Sequence, residues 1–157
     1  VRRILVAITA AFVLVIGAVP AAHGAGHAPL PTATSALPLV GLCGSSYNHA
    51  GHYPIEASGT TIGYMDVYFS WHTRRNCLVT SHGGPAYGIR AYTEARIRPS
   101  GSSWPSCPSS PGCDGDFYSF YAGPVYTPMG VDMTGRCIDI TAAVEWTSQA
   151  HSGVHCG

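Results

Sequence analysis

The chain has 157 residues, of which 46% are hydrophobic and only 10% charged, with eight basic and eight acidic side chains. So many apolar positions and so little net charge exclude a disordered polymer. The length suits one domain, and the balanced charge lacks the basic footprint of a nucleic-acid binder.

Arg2 and Arg3 precede an uncharged apolar run from Ile4 to Val19, and Pro20-Ala-Ala-His-Gly24 then supplies a breaker and small residues. This pattern predicts a secretory signal peptide over 1–24, cut after Gly24 or after Ala21. A retained membrane anchor is the alternative, but the run is shorter than the roughly 18 residues of a spanning helix. Once the segment is removed, no membrane contact is expected. Residues 25–42 are rich in Pro, Ala and Thr without strand or helix period, and read as an extended leader. The folded domain is expected over 43–157.

Within that domain the period is two. Residues 61–71 alternate, with Met65, Val67, Phe69 and Trp71 on one side and Tyr64, Asp66, Tyr68 and Ser70 on the other. A short strand is expected at 77–81, followed by a glycine turn at His82-Gly-Gly. Residues 87–98 place Tyr87, Ile89, Ala91, Thr93, Ala95 and Ile97 inward, and Arg90, Tyr92, Glu94, Arg96 and Arg98 outward. Residues 117–126 carry aromatics on both faces, which predicts a central strand. Residues 136–147 turn Ile138, Ile140, Ala142, Val144 and Trp146 inward. Turn-rich segments separate these runs and no stretch has a helical period. The expectation is an all-β fold, a small antiparallel sandwich or barrel stapled by disulfides.

The staples are Cys43, Cys77, Cys107, Cys113, Cys137 and Cys156. An even count in a secreted chain reads as a disulfide framework. No C-x2-C pair suggests zinc. The short Pro/Ser/Gly loop between Cys107 and Cys113 predicts a local bridge. Pairing of sequence neighbours adds Cys43–Cys77 and Cys137–Cys156; Cys43–Cys156 with Cys77–Cys137 is the rival.

Several segments are similar to a known family. Cys43-Gly44, residues 64–68, Asn76-Cys77-Leu-Val-Thr80, Tyr121-Ala-Gly-Pro-Val-Tyr126, Cys137 and Cys156-Gly157 resemble the spore-associated protein A family of filamentous spore-forming bacteria. The resemblance runs along the whole domain and is sharpest at 116–126. It implies four family cysteines, matching Cys43, Cys77, Cys137 and Cys156, and an insertion near 99–114 that brings Cys107 and Cys113. That departure supports pairing the added two with each other. The resemblance also implies secretion and association with the spore or cell wall, and no particular reaction.

No catalytic constellation is recognisable. There is no G-x-S-x-G elbow and no H-E-x-x-H helix. Glu56, Asp66, Glu94, Asp139 and Glu145 are too scattered to suggest a glycosidase pair. His49-Ala-Gly-His52 and His151-Ser-Gly-Val-His155 read as solvated loop histidines, so no metal or cofactor is expected. The sequence therefore points to a secreted, non-enzymatic protein of the spore or cell surface whose partner is a wall polymer or glycan. Arg90, Tyr92, Arg96 and Arg98 are expected to form the contact face together with Tyr64 and Tyr68. A protease inhibitor acting through the bridged Cys107–Cys113 loop is the alternative.

Overall fold

A computed structural model describes residues 41–108 and 110–156. The expected signal peptide and all but the last two residues of the leader lie outside the described residues.

Among the described residues, eight strands form two open antiparallel sheets. The first contains β1 (Asn48–Ala57), β2 (Thr60–Ser70), β3 (Arg75–His82) and β6 (Tyr121–Tyr126), in the order β1-β2-β3-β6. The second contains β4 (Ala91–Pro99), β5 (Cys113–Tyr118), β7 (Ile138–Val144) and β8 (Thr147–Val154), in the order β5-β4-β7-β8. Both sheets keep their edges, so the architecture is a sandwich rather than a closed barrel. Among the described residues no helix is long and apolar enough to cross a membrane.

One core lies between the sheets. Ile55, Met65, Val67 and Leu78 enter it from the first sheet; Ala95, Ile97, Ile138, Ile140, Ala142 and Val144 enter it from the second. Each large aliphatic side chain buried there contributes about 1.5–3 kcal/mol of transfer free energy. His82 also lies fully inside. Its Nδ1 donates to the Ala86 carbonyl and its Nε2 meets Thr93 Oγ1, so the ring ties the end of β3 to β4. A second, smaller cluster sits on the outer face of the first sheet. There Cys43, Tyr68, Cys77 and Val79 pack under Leu42, Tyr47 and Tyr126. Leu42 thus belongs to the folded unit, and residues 41–44 form a turn closed by the Gly44 N–H on the Gly41 carbonyl at 2.9 Å.

The alternating runs became β2, β3, β4 and β7, but their ends differ from the expectation. Tyr87 and Ile89 are exposed and precede β4, because the 3-10 turn Gly84–Ala86 and Gly88, at φ +79°, break the alternation. Trp71 falls in the β2–β3 turn and is 68% exposed. The run 117–126 is not a central strand. It divides at Ser119-Phe120 into β5 and β6, which occupy edges of different sheets. The run 136–147 stops at Val144, and Trp146 faces solvent instead of the core. β1 and β8 have no counterpart among the sequence expectations.

The disulfides are Cys43–Cys77, Cys107–Cys113 and Cys137–Cys156. Pairing of sequence neighbours therefore holds over the rival.

Candidate functional site

The expected contact face divides between two sheets. Tyr64 and Tyr68 stand on β2, on the outer face of the first sheet; Tyr92, Arg96 and Arg98 stand on β4, on the outer face of the second. With the core between them, the two groups cannot form one platform. Tyr68 is also covered, at 6% exposure, by the segment that Cys43–Cys77 clamps to the sheet. Burial raises its phenol pKa above the ordinary value, with a further push from Asp66.

Two of the three arginines of that face, Arg96 and Arg98, are already engaged. Arg98 Nε donates to Asp139 Oδ2 at 2.9 Å, another of its nitrogens bonds the Ser102 carbonyl, and its guanidinium lies 4.1 Å from the Trp104 ring centre. Ser100 Oγ and the Gly153 N–H donate to Asp139 Oδ1 at 2.6 and 3.0 Å. These hydrogen bonds, with Ser100 foremost and Arg98 contributing, hold the Asp139 carboxyl below its ordinary value. Arg96 lies 3.4 Å from Glu94 Oε1 and points its Nε at Cys107 Sγ, 3.0 Å away. Trp104 against Arg98 and Pro105 beside Gly112 fold the bridged loop back toward β4 rather than projecting it.

What does come together is an aromatic group around Tyr92. Cross-strand pairing puts Phe117 opposite Tyr92. The β7–β8 turn, Glu145-Trp146, is fastened to β4 by the Glu145 N–H on the Tyr92 carbonyl at 3.0 Å. The Tyr92 and Trp146 rings stack 4.2 Å apart and 3° from parallel. Phe117 stands edge-on to both, at 6.1 and 6.2 Å. The Arg90 guanidinium lies 5.4 Å from the Phe117 ring centre. Tyr92 Oη donates to Glu94 Oε2 at 2.7 Å, and this bond, with burial and the Glu94 charge behind it, pushes the phenol up to about 12. The phenol thus stays a neutral donor fixed in place. Trp146 is 71% exposed and Phe117 44%.

The register supplies a floor beside this aromatic wall. In the β4–β7–β8 ladder Glu94 pairs with Ala143 and Ala143 with Ser148; Arg96 pairs with Thr141 and Thr141 with Ala150. Side chains on one face alternate by two, so these four small residues share the outer face with Tyr92. A broad exposed aromatic edge next to a shallow, polar-rimmed floor can accept the apolar face of a flat ligand and hydrogen-bond its periphery.

Of the six expected contact residues, Tyr92 is central to this surface and Arg90 flanks it, while Arg96 borders the floor. Phe117 and Trp146 were not among them. Their signal was masked because both lie in runs that read as uninterrupted strands.

Three of the four paired histidines are strand rather than loop residues. His49 and His52 lie on β1, and His151 lies on β8 with His155 just beyond it. His49 and His52 both converge on Asp66 of β2. Burial lowers the His155 pKa, and His49 adds to the effect.

Comparison with protein-family models, with curated proteins and with solved structures finds no match for the chain.

Proposed function

We propose that the protein is a secreted, non-enzymatic component of the spore or cell surface that holds a wall polymer or glycan on its second sheet. The observation that carries this reading is the exposed Trp146 indole stacked on Tyr92, with exposed Phe117 at its edge. Sugar rings present one apolar face and a polar rim. The indole takes the face, while Arg90, Glu94 and Ser148 supply donors and acceptors for the rim. Three disulfides suit an oxidising, extracellular compartment. The resemblance of residues 64–68 and 121–126 to the spore-associated family supports the location.

The test is a pull-down on purified cell walls and on spores, run beside inhibition assays on secreted proteases. Wall binding should fall more than tenfold in Trp146→Ala, the behaviour of a central aromatic anchor. Nanomolar protease inhibition that vanishes when Cys107 and Cys113 are removed, without wall binding, would replace this reading with the inhibitor one.

A further inference from the structure

Strand geometry places residues three apart on opposite faces. His49 and His52 escape this rule. In the β1–β2 ladder His49 pairs with Tyr68 and Gly51 with Val67, which leaves Ala50 as an extra residue at a register shift. Such a bulge re-aims the side chain on one flank. Both imidazoles therefore reach the outer face of the first sheet, where His52 is the direct cross-strand partner of Asp66.

The three side chains meet at a point. His49 Nε2 lies 3.0 Å and His52 Nδ1 2.7 Å from the same atom, Asp66 Oδ1, and the three donor atoms lie within 4.8 Å of one another. The carboxylate side chain is only 11% exposed, whereas both imidazoles are 49% exposed. The rings have backing. His52 stacks on Tyr64 at 4.5 Å and 22°, and His49 stands edge-on to Tyr68 at 5.2 Å. The two tyrosines expected to touch a glycan thus face the histidines.

We propose that His49, His52 and Asp66 form a binding site for a divalent first-row transition-metal ion of the zinc type, with its remaining coordination positions open to solvent. The donor set decides the class. Two imidazole nitrogens and one carboxylate oxygen suit zinc and its neighbours, while calcium and magnesium prefer all-oxygen cages. The spacing agrees. With bonds of about 2.0–2.2 Å, adjacent donors around a tetrahedral ion stand roughly 3.3–3.6 Å apart. The observed 3.0 and 2.7 Å need to widen by about 0.3–0.9 Å and the two ring nitrogens, within 4.8 Å of each other, to settle at the same spacing, shifts that half-exposed rings allow. A nearly buried carboxylate with two half-exposed imidazoles in front of it leaves the ion's remaining positions on the solvent side. The site lies on the sheet opposite the proposed glycan surface and is independent of that reading.

Zinc titration by calorimetry on the purified protein tests it, with the unfolding midpoint in urea measured with and without Zn²⁺. The double variant His49→Ala/His52→Ala measures uptake by the remaining histidines. About one equivalent beyond that background is expected, with the urea midpoint of the wild type raised by zinc because the assembled site binds the ion more tightly than the unfolded chain does. His52→Ala and the near-isosteric Asp66→Asn should each weaken binding at least tenfold, and His72→Ala should leave it unchanged. A visible d–d spectrum with Co²⁺, lost in His52→Ala, reports the same ligands. Equal zinc uptake by the wild type and the double variant, or no zinc-dependent shift of the wild-type midpoint, would reduce the cluster to a hydrogen-bonded trio and overturn the proposal.

Discussion

The turn that presents Trp146 is built against local preference, and this gives a sharp test. Glu145 and Trp146 both have positive φ, 51° and 66°, in the two-residue connection between β7 and β8. Such a turn favours Asn-Gly or Asp-Gly, whose residues adopt that region easily. An ordinary L residue there costs about 1–2 kcal/mol. Glu145→Asn should therefore stabilise the fold by about 1 kcal/mol, since Asn tolerates this conformation. Trp146→Gly removes a comparable strain but loses the Tyr92 stack, worth about 0.5–1.5 kcal/mol, and adds about 0.5–1 kcal/mol of glycine backbone entropy. Its net effect on stability should lie within about 1 kcal/mol of zero.

Function should separate the two variants. Glu145→Asn should keep wall binding, whereas Trp146→Gly should lose more than 90% of it, the tenfold drop that 1.4 kcal/mol represents. Urea unfolding and wall pull-down on the same preparations read both quantities. A loss of more than about 2 kcal/mol of stability in Trp146→Gly would make the indole a structural residue, and retained wall binding would remove it from the contact surface. Either result refutes the argument that strain is stored there for exposure of the ring.

Three further outcomes follow from packing and charge. Removing Cys43 and Cys77 together, which are 34 residues apart, should cost about 4 kcal/mol in urea unfolding, against about 2 kcal/mol for Cys107 and Cys113, only 6 apart; the reverse order would contradict the loop-entropy account. Gly63→Ala should destabilise by about 1–3 kcal/mol, since an added Cβ would stand 2.5 Å from the Ser81 carbonyl oxygen and 2.9 Å from Val144 Cγ2; an unchanged midpoint would show that the two sheets can part there. Asp139 titrates below its ordinary 3.8 in the folded chain, so its contribution is complete above that value and is lost as the pH falls through the folded pKa. Urea midpoints should therefore drop below about pH 4 in the wild type, with a shallower acid limb in Asp139→Asn; identical acid limbs would place the acid sensitivity elsewhere.

The central strands were legible because each keeps one clean apolar face. Met65 and Val67 on β2, Ala95 and Ile97 on β4, and Ile138 to Val144 on β7 all alternate into the core as the sequence predicts. Edge strands give no such signal. β1 contains Gly51 and Pro54, and β8 mixes Thr, Ser and Gln with Ala, Gly and one histidine and has a single large aliphatic residue, Val154. An edge strand can carry a proline, and neither segment must bury a full face. The loop reading of the histidines failed for that reason. The disulfides were legible because short sequence separations coincide with neighbouring elements. The contact face was not, because alternation assigns a side chain to the inside or outside of its own sheet and says nothing of which sheet holds the strand. Tyr64 and Tyr92 are both outward, yet they look in opposite directions.

The two local irregularities share a consequence. The extra residue at Ala50 turns His49 toward Asp66, and the strained Glu145-Trp146 turn sets an indole beside Tyr92. A sequence shaped only for stability would omit the first and write Asn-Gly at the second. Each departure instead collects chemistry-bearing side chains on one outer face, and the faces lie on opposite sides of a core about 10 Å thick. Two sites so separated and without shared partners should behave additively. Asp66→Asn should weaken zinc binding at least tenfold and leave wall binding intact, and Trp146→Ala should do the opposite. A wall-binding loss in Asp66→Asn, with the urea midpoint unchanged, would mean that the polymer reaches around the β1 and β8 edges, where Tyr53 and His151 already stand 4.3 Å apart, and that the two faces form one surface.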